Sequence, residues 1–186
     1  MSRMLDPLGF PLWGSRLIEA SAGTGKTWTI AALYIRLVLG HGDEDTRFAR
    51  PLLPGEILVM TFTRAATREL SDRIRLRLLE AAQAFRDGHS DDGYLAALIA
   101  ASPSMQAQQQ AAYRLNLAAE AMDEAAIFTI DAWCQRMLRE HAFDSGNLFD
   151  EELLPDETEL FDTAVRDYWR QQVYPLDAGT LDLLLQ

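Results

Sequence analysis

Residues 17–27 read Leu-Ile-Glu-Ala-Ser-Ala-Gly-Thr-Gly-Lys-Thr, and this stretch decides the fold. A short apolar run meets a loop of small residues, and a helical pattern follows at once, which predicts the order strand, glycine-rich loop, helix. Glycine lacks a Cβ, so Gly23 and Gly25 let the backbone come close to an anion. The amide groups of residues 23–27 and the positive end of the helix would then face nucleotide phosphates.

The side chains that end this loop complete the predicted phosphate site. Lys26 can reach the β- and γ-phosphates, and the Thr27 hydroxyl is a candidate Mg²⁺ ligand. Lys26 is also the single lysine of the chain. We therefore assign catalytic roles to Lys26 and Thr27 and metal binding to Thr27. The residues predicted to bind the nucleotide are Ala22, Gly23, Thr24, Gly25, Lys26 and Thr27.

One position departs from the strict phosphate-loop pattern G-x-x-x-x-G-K-[ST]. Ala20 stands where that pattern has its first glycine, and alanine is tolerable there if its φ is negative. The alternative is a flexible loop that contains Gly-Lys-Thr by chance. The strand and helix that flank the loop favour the phosphate site.

The composition bounds the class of protein. The chain has 186 residues, of which 48% are apolar, enough for one packed domain or for one domain and part of another. Its net charge of −11 argues against a nucleic-acid module that works by bulk charge. One cysteine, Cys134, excludes an intrachain disulfide. No run approaches the roughly 20 apolar residues of a membrane helix, so we expect a soluble cytoplasmic protein that does not contact a membrane.

Alternating strand and helix signals continue along the chain. Residues 56–62 form a nearly continuous apolar run, typical of a strand covered on both faces in a parallel sheet. Further strands are predicted at 16–20 and 125–130. Thr63 and Asp131 are candidate N-caps, and Gly40 is a candidate helix end. Helices are predicted over residues 26–39, 64–85, 94–101 and 104–122, from residue 131, and between 156 and 175.

A domain boundary is predicted at Gly146-Asn147, a helix stop signal. Residues 1–146 would form the α/β domain, and residues 147–186 would begin a helical subdomain. The chain ends on Leu-Leu-Leu-Gln, so we expect it to be a fragment of a longer protein. Three strands are fewer than a complete sheet needs, which predicts an open edge and uncovered apolar surface.

Three motifs now stand in order: Ala-Gly-Thr-Gly-Lys-Thr at 22–27, Thr-Phe-Thr-Arg-Ala-Ala-Thr-Arg-Glu-Leu at 61–70, and Phe-Thr-Ile-Asp-Ala-Trp-Cys-Gln-Arg-Met-Leu at 128–138. Together they resemble the N-terminal part of superfamily 1 DNA helicases of the UvrD/Rep type. Residues 17–27 and Phe-Asp-Ser-Gly-Asn-Leu-Phe at 143–149 resemble the RecB-related branch, the exodeoxyribonuclease V β subunits. The resemblance implies a RecA-like P-loop NTPase fold, a parallel sheet flanked by helices. That sheet would be incomplete here and followed by the start of a helical subdomain.

The same resemblance implies a function. The first motif would bind ATP and Mg²⁺, and the other two would line a groove for single-stranded DNA. The implied DNA-binding residues are Phe62, Thr63, Arg64, Thr129, Asp131 and Trp133. The whole protein would be an ATP-dependent DNA helicase and exonuclease subunit that repairs double-strand breaks by recombination. It would act at double-stranded DNA ends with RecC-like and RecD-like subunits. The chain alone should hydrolyse ATP negligibly, because an acidic strand end and the arginines of a second domain are missing from it.

Three departures from the family pattern keep a second interpretation open. Trp13 lies in the region where the family has a glutamine that reads adenine; it could stack on a base but could not make a paired amide contact. Arg64 replaces a glutamate of RecB relatives, and Asp131-Ala132-Trp133 replaces His-Gly-Phe. The chain could therefore belong to a nucleotide-binding structural subunit that lost its motor activity. A small nucleotide kinase is a weaker alternative, because the second and third motifs would then be accidental.

Individual side chains also have simpler interpretations. Phe62 and Trp133 could be ordinary core aromatics. A solvated helix face is favoured for most of a group of arginines on the second helix. These arginines are Arg68, Arg73, Arg75 and Arg77.

Overall fold

The computed structural model describes residues 5–21, 23–141, 156–177 and 179–181. The α-helices and β-strands among them, in chain order, are α1 Lys26–Leu39, β1 Val59–Thr61, α2 Arg64–Asp87, α3 Gly93–Ala100, α4 Met105–Glu120, β2 Ile127–Thr129, α5 Ile130–Glu140 and α6 Thr158–Tyr168. A π-helical turn, Trp169–Val173, follows α6. The chain divides into two compact units, Met1–Met137 and Leu138–Gln186. The predicted boundary at Gly146-Asn147 lies outside the described residues and stays a prediction.

The end of α1 and the start of α2 lie at the predicted capping residues. Gly40 follows α1 with φ 66°, and its amide donates to the Leu37 carbonyl at 3.3 Å. This left-handed residue satisfies a carbonyl that the helix leaves open. The Thr63 hydroxyl accepts the Ala66 amide at 3.1 Å at the start of α2. Both caps were predicted, and both are confirmed.

The core of the first unit lies where α2 packs against α1 and α4. The apolar stripe of α2 is buried at Leu70, Ile74, Leu78 and Ala82, whereas Ala66 is exposed. Ile30 is exposed, and the buried apolar positions of α1 are Ala31, Ala32, Tyr34, Ile35 and Val38. Small alanines on α4 let it approach α2 closely, which explains why an Ala- and Gln-rich helix can belong to the core.

The sheet is a parallel pair. β1 and β2 align in register, with Val59 opposite Ile127 and Thr61 opposite Thr129. The predicted strand at 16–20 is not formed, and the Leu17 side chain is 86% exposed. A strand needs a neighbour to satisfy its amide and carbonyl groups. Among the described residues the segment pairs with neither β1 nor β2, so the prediction of three strands was wrong.

One face of the sheet is uncovered. Leu58, Met60 and Phe62 alternate along the chain at β1 and are all exposed, whereas the opposite face packs on α2. The prediction that the strand at 56–62 is covered on both faces was therefore wrong. The predicted uncovered apolar surface is confirmed by these three side chains.

Arg77 belongs to the packing between helices. Its side chain is mostly buried and bonds the carboxylates of Glu80 and Asp92, and Asp92 caps α3. Burial alone would raise the pKa of Asp92, but hydrogen bonds from Arg77 and from the Leu95 and Tyr94 amides hold this pKa below its usual value. The solvated-face interpretation fits exposed Arg68 but does not fit Arg77.

Glu56 gives the fold an acid-sensitive contact. Its carboxylate accepts two hydrogen bonds from Arg50, at 2.7 and 2.9 Å, and one from the Leu53 amide at 2.8 Å. These bonds lower the pKa of Glu56 from 4.5 to about 2. A lowered carboxyl pKa contributes stability that is present above pH 4.5 and is lost as the pH falls through about 2.

We therefore expect Glu56→Gln to lower the free energy of unfolding at neutral pH. The difference from the unmodified protein should shrink as the pH falls from 4.5 to about 2. Urea unfolding curves over this pH range would measure it, with Glu44→Gln, an exposed glutamate in the preceding loop, as the control. A difference that stays constant with pH would contradict the assignment.

Candidate functional site

The two glycines of the predicted phosphate loop have left-handed backbone dihedrals. Gly23 and Gly25 have φ of 79° and 83°, in the left-handed region that disfavours side chains. A Cβ built on either glycine would meet nothing within 4 Å. The backbone turn therefore requires these glycines, and open space remains in front of the loop. Ala22 lies outside the described residues.

Lys26 is held by the loop that precedes it. Its Nζ donates to the Ser21 carbonyl at 2.6 Å and to the Ala20 carbonyl at 3.4 Å. Thr24 Oγ1 donates to the same Ser21 carbonyl at 2.8 Å. The loop thus curls around the ammonium group, and Ala20 takes part through its backbone. Since an ammonium has three donors, two loop carbonyls leave one for an anion.

The start of α1 favours negative charge. Its first turn carries Lys26 and no acidic residue, so the partial positive charge of the helix end is not neutralised locally. Thr27, in the same turn, is half-buried. The described part of the chain contains no cluster of three or more Asp, Glu, His or Cys side chains that could hold a metal ion. Thr27, the predicted Mg²⁺ ligand, is not among the residues that line the cavity beside the loop, so its metal-binding role stays a prediction.

A cavity of about 990 Å³ opens beside the loop. Its polar lining consists of Glu19, Thr24, Lys26 and Thr29, next to the Gly25 backbone. Its apolar lining consists of Leu5, Pro7, Leu17, Ile18, Ala20, Trp28 and Ile30. The cavity therefore offers an apolar wall beside a cationic loop, an arrangement that suits an amphiphilic anion such as a nucleotide.

Trp28, and not Trp13, is the tryptophan of this cavity. The Trp28 ring packs edge-on against Tyr94, with 5.6 Å between ring centroids. Trp13 does not line the cavity; its indole N–H donates to the Asp45 carbonyl at 2.7 Å, and the Arg16 guanidinium covers its ring. The sequence interpretation considered Trp13 for stacking and missed Trp28. An aromatic residue directly after Gly-Lys-Thr was the available signal.

The second motif presents an exposed aromatic ring. Phe62 is 88% exposed, which rules out its interpretation as a core residue. Thr63 caps α2 through its hydroxyl, as described above, so this hydroxyl already accepts an amide. Arg64 is the first residue of α2, and its side chain is exposed. The ring of Phe62 and the guanidinium of Arg64 are therefore available to a ligand at this end of the strand.

The third motif corrects one predicted role. Thr129 Oγ1 accepts the Ala132 amide at 3.2 Å, so Thr129 caps α5. Asp131 was predicted as that cap, but it lies exposed within the first turn of the helix. A hydroxyl three residues before the amide has the N-cap geometry, and a side chain already inside the turn does not. Trp133 is half-buried, with its ring 5.9 Å from that of Phe128.

The parallel register brings the second and third motifs together. Thr61 is opposite Thr129, and both strands end at this position, so α2 and α5 start from the same edge of the sheet. The phosphate loop belongs to the same compact unit, on a helix that packs against α2. The residues leading into the loop are not part of the sheet. The structure thus joins two of the three motifs at one sheet edge.

None of the described helices is long and apolar enough to cross a membrane.

Comparison with known proteins gives consistent matches. Residues 9–183 match the family described as UvrD/REP helicase N-terminal domain. The RecBCD enzyme subunit RecB of Escherichia coli K12 is 50% identical over 176 residues, 95% of this chain and 15% of that protein. The subunit of the same name from Haemophilus influenzae is 44% identical over 181 residues, and the one from Mycobacterium tuberculosis H37Rv is 33% identical over 165. The chain spans about 15% of the length of the first of these relatives and 14% of the other two.

Proposed function

The chain belongs to the UvrD/REP helicase family through its N-terminal domain, and on that basis we propose that it is the ATP-binding part of a DNA helicase and exonuclease subunit that acts in recombinational repair of double-strand breaks. The parallel pairing of β1 with β2 carries this proposal, because it sets two candidate DNA-binding motifs side by side. Residues 1–146 would form part of a RecA-like ATP-binding domain, and residues 147–186 would begin an inserted helical subdomain.

The phosphate loop supports the nucleotide half of the proposal. The amides that follow Gly23 and Gly25 would donate to phosphate oxygens, and Lys26 would add its third N–H to the γ-phosphate end. The Thr27 hydroxyl would hold Mg²⁺, the role assigned to it by its position after the lysine. Hydrolysis of bound ATP would supply the free energy for movement along DNA. The apolar cavity wall would exclude water from the nucleoside end.

The sheet edge supports the DNA half. Phe62 presents a fully accessible ring, and aromatic rings stack on bases without reading sequence. Arg64 and the starts of α2 and α5 would contact phosphates. Thr63 and Thr129 would act mainly by capping these helices, and half-buried Trp133 would support the edge from behind.

The relatives carry the name RecBCD enzyme subunit RecB. We extend this to the chain as a proposal: the whole protein would act in the cytoplasm on double-stranded ends and the single strands opened there. It would assemble with RecC-like and RecD-like subunits.

The exposed Asp131 carboxylate at the same edge favours a second candidate. A negative charge repels DNA phosphates, so the chain could belong to a nucleotide-binding structural subunit without motor activity. The two candidates differ in one observable, the stimulation of ATP hydrolysis by single-stranded DNA.

We expect ATP hydrolysis by the full-length protein to rise with single-stranded DNA, and we expect Phe62→Ala to weaken this response. The DNA concentration at half-stimulation should increase about 5- to 100-fold, the effect of one lost base-stacking contact. The rate without DNA should not change, because Phe62 is not among the residues that line the cavity.

Tyr113→Ala is the matched control, since it removes an exposed aromatic ring on α4, a helix that belongs to none of the three motifs. Hydrolysis that ignores DNA in the unmodified protein would contradict the motor proposal and favour the structural subunit. An unchanged half-stimulation in Phe62→Ala would contradict the role of this ring.

A further inference from the structure

Arg36 is a fully buried charge on α1, with 0% exposure. Its Nη1 donates to the carbonyls of Pro7 and Phe10 at 2.8 and 2.6 Å, and its Nη2 donates to those of His41 and Thr46 at 3.4 and 3.3 Å. All four acceptors are backbone carbonyls. Among the described residues, no carboxylate forms an ion pair with it.

Such a placement is unfavourable for a guanidinium. Burial lowers the pKa of Arg36, and this effect outweighs the opposing influence of Tyr94, Asp6 and Asp43. Its Nε is buried and has no hydrogen-bond partner in the described part of the chain. An apolar side chain at this helix position would avoid the cost of desolvation. The charge is therefore best explained by the segments that it holds.

Arg36 holds two segments that are far apart in sequence. One is the lead-in, here residues 5–12, and the other is the loop after α1. The two are also joined directly, since the Leu12 amide donates to the Thr46 carbonyl at 2.9 Å. A Cβ at Gly42, where φ is 137°, would lie 2.7 Å from Thr46 Oγ1 and 3.0 Å from Arg36 Nη2. The loop thus closes around the guanidinium with no space for a side chain.

The lead-in also reaches the cavity. Leu5 and Pro7 line it together with Lys26 and Trp28. The phosphate loop leads into the first residue of α1, Lys26. Ten residues later on the same helix, Arg36 binds the lead-in, which supplies part of the apolar wall. Both the phosphate loop and the apolar wall are therefore positioned by α1.

We infer that Arg36 is a positioning residue for nucleotide binding, which holds the lead-in so that Leu5 and Pro7 pack against the nucleoside end of the ligand. This inference rests on the proposed function. It assigns the phosphates to the loop and the nucleoside to a wall that depends on Arg36. Disturbing Arg36 should therefore affect ATP and a ligand made only of phosphates differently.

The test compares the affinities of ATP and inorganic tripolyphosphate by calorimetry. Arg36→Met should weaken ATP binding about tenfold, the scale of losing one or two apolar contacts. Tripolyphosphate binding should change less than about twofold, because the loop and Lys26 remain. Arg36→Lys should be intermediate, about threefold for ATP, since an ammonium offers three donors to four carbonyls. A general loss of structure would weaken the binding of both ligands equally.

Two further variants keep the test decisive. Arg47→Met removes the same charge from an exposed position in the same loop and should change neither affinity. Leu5→Ser alters the apolar wall and leaves Arg36 in place. It should therefore weaken ATP binding without affecting tripolyphosphate binding, even if Arg36→Met does not fold.

The inference would be overturned if Arg36→Met weakened the binding of ATP and of tripolyphosphate equally. It would also be overturned if ATP affinity stayed unchanged in both Arg36→Lys and Leu5→Ser. Unmodified protein that binds neither ligand would instead contradict the proposed function, and the inference with it.

Discussion

Lys26→Ala is expected to lower the DNA-stimulated ATPase rate of the full-length protein by about 10²- to 10³-fold, the effect of losing one preorganised charge at a reacting phosphate. The Lys26 ammonium is held by the Ser21 and Ala20 carbonyls at the start of α1. It is the only lysine in the chain. Alanine would leave the loop without a cation, so affinity for ATP and for tripolyphosphate should fall together.

Arg86→Ala removes the same charge near the far end of α2 and serves as the control. Because the Lys26 side chain is exposed, the free energy of unfolding should change by less than about 0.5 kcal/mol. ATP turnover at the unmodified rate in Lys26→Ala would contradict the assignment of the loop. A loss of turnover together with unfolding would show that Lys26 acts on the fold.

Leu78→Ala should destabilise the protein by about 2–5 kcal/mol, as expected for a large-to-small change in a packed core. Leu78 is fully buried on α2, the helix that packs against both α1 and α4. The cavity left by the lost side chain adds to the cost of transfer, because neighbouring helices relax only partly. The free energy of unfolding from urea titration would measure the effect.

Leu76→Ala is the matched control for this core change. It deletes the same atoms from the same helix at a position that is 60% exposed, so its cost should be below about 0.5 kcal/mol. Comparable costs for the two variants would contradict the packing of α2 described above. Neither leucine lines the cavity, so ATP affinity should be unchanged in the folded population of both variants.

The sequence predicted best the features that depend on neighbouring residues. Gly40 and Thr63 cap helices through contacts within four residues, and the dihedrals of Gly23 and Gly25 follow from the loop itself. These features require no knowledge of distant segments. The helix bounds and the turn of the phosphate loop could therefore be predicted from the pattern alone.

The wrong predictions concern features that depend on contacts with other segments of the chain. The predicted strand at 16–20 failed because pairing requires a neighbour, which the apolar pattern of Leu17-Ile18 cannot supply. Arg36 is buried because four backbone carbonyls surround its guanidinium, two from the distant lead-in and two from the loop after α1, and the sequence pattern does not indicate this. The cap of α5 was misplaced by two residues, since the start of the helix depends on where β2 stops pairing.

Only part of the candidate site could be predicted from the sequence. The loop could be located from Gly-Lys-Thr, and the register of β1 with β2 places the two later motifs at one edge, as parallel strands require. The apolar wall could not be predicted. It depends on how the lead-in packs, so Leu5 and Pro7 gave no signal of their role.

The paired ends of β1 and β2 have an electrostatic consequence. Each of α2 and α5 begins just after this edge and contributes about half an elementary charge there through its backbone dipole. The whole chain carries −11. At physiological ionic strength all these fields decay over about 8 Å, so the starts of α2 and α5 favour an anion only at close range, whatever the net charge of the chain.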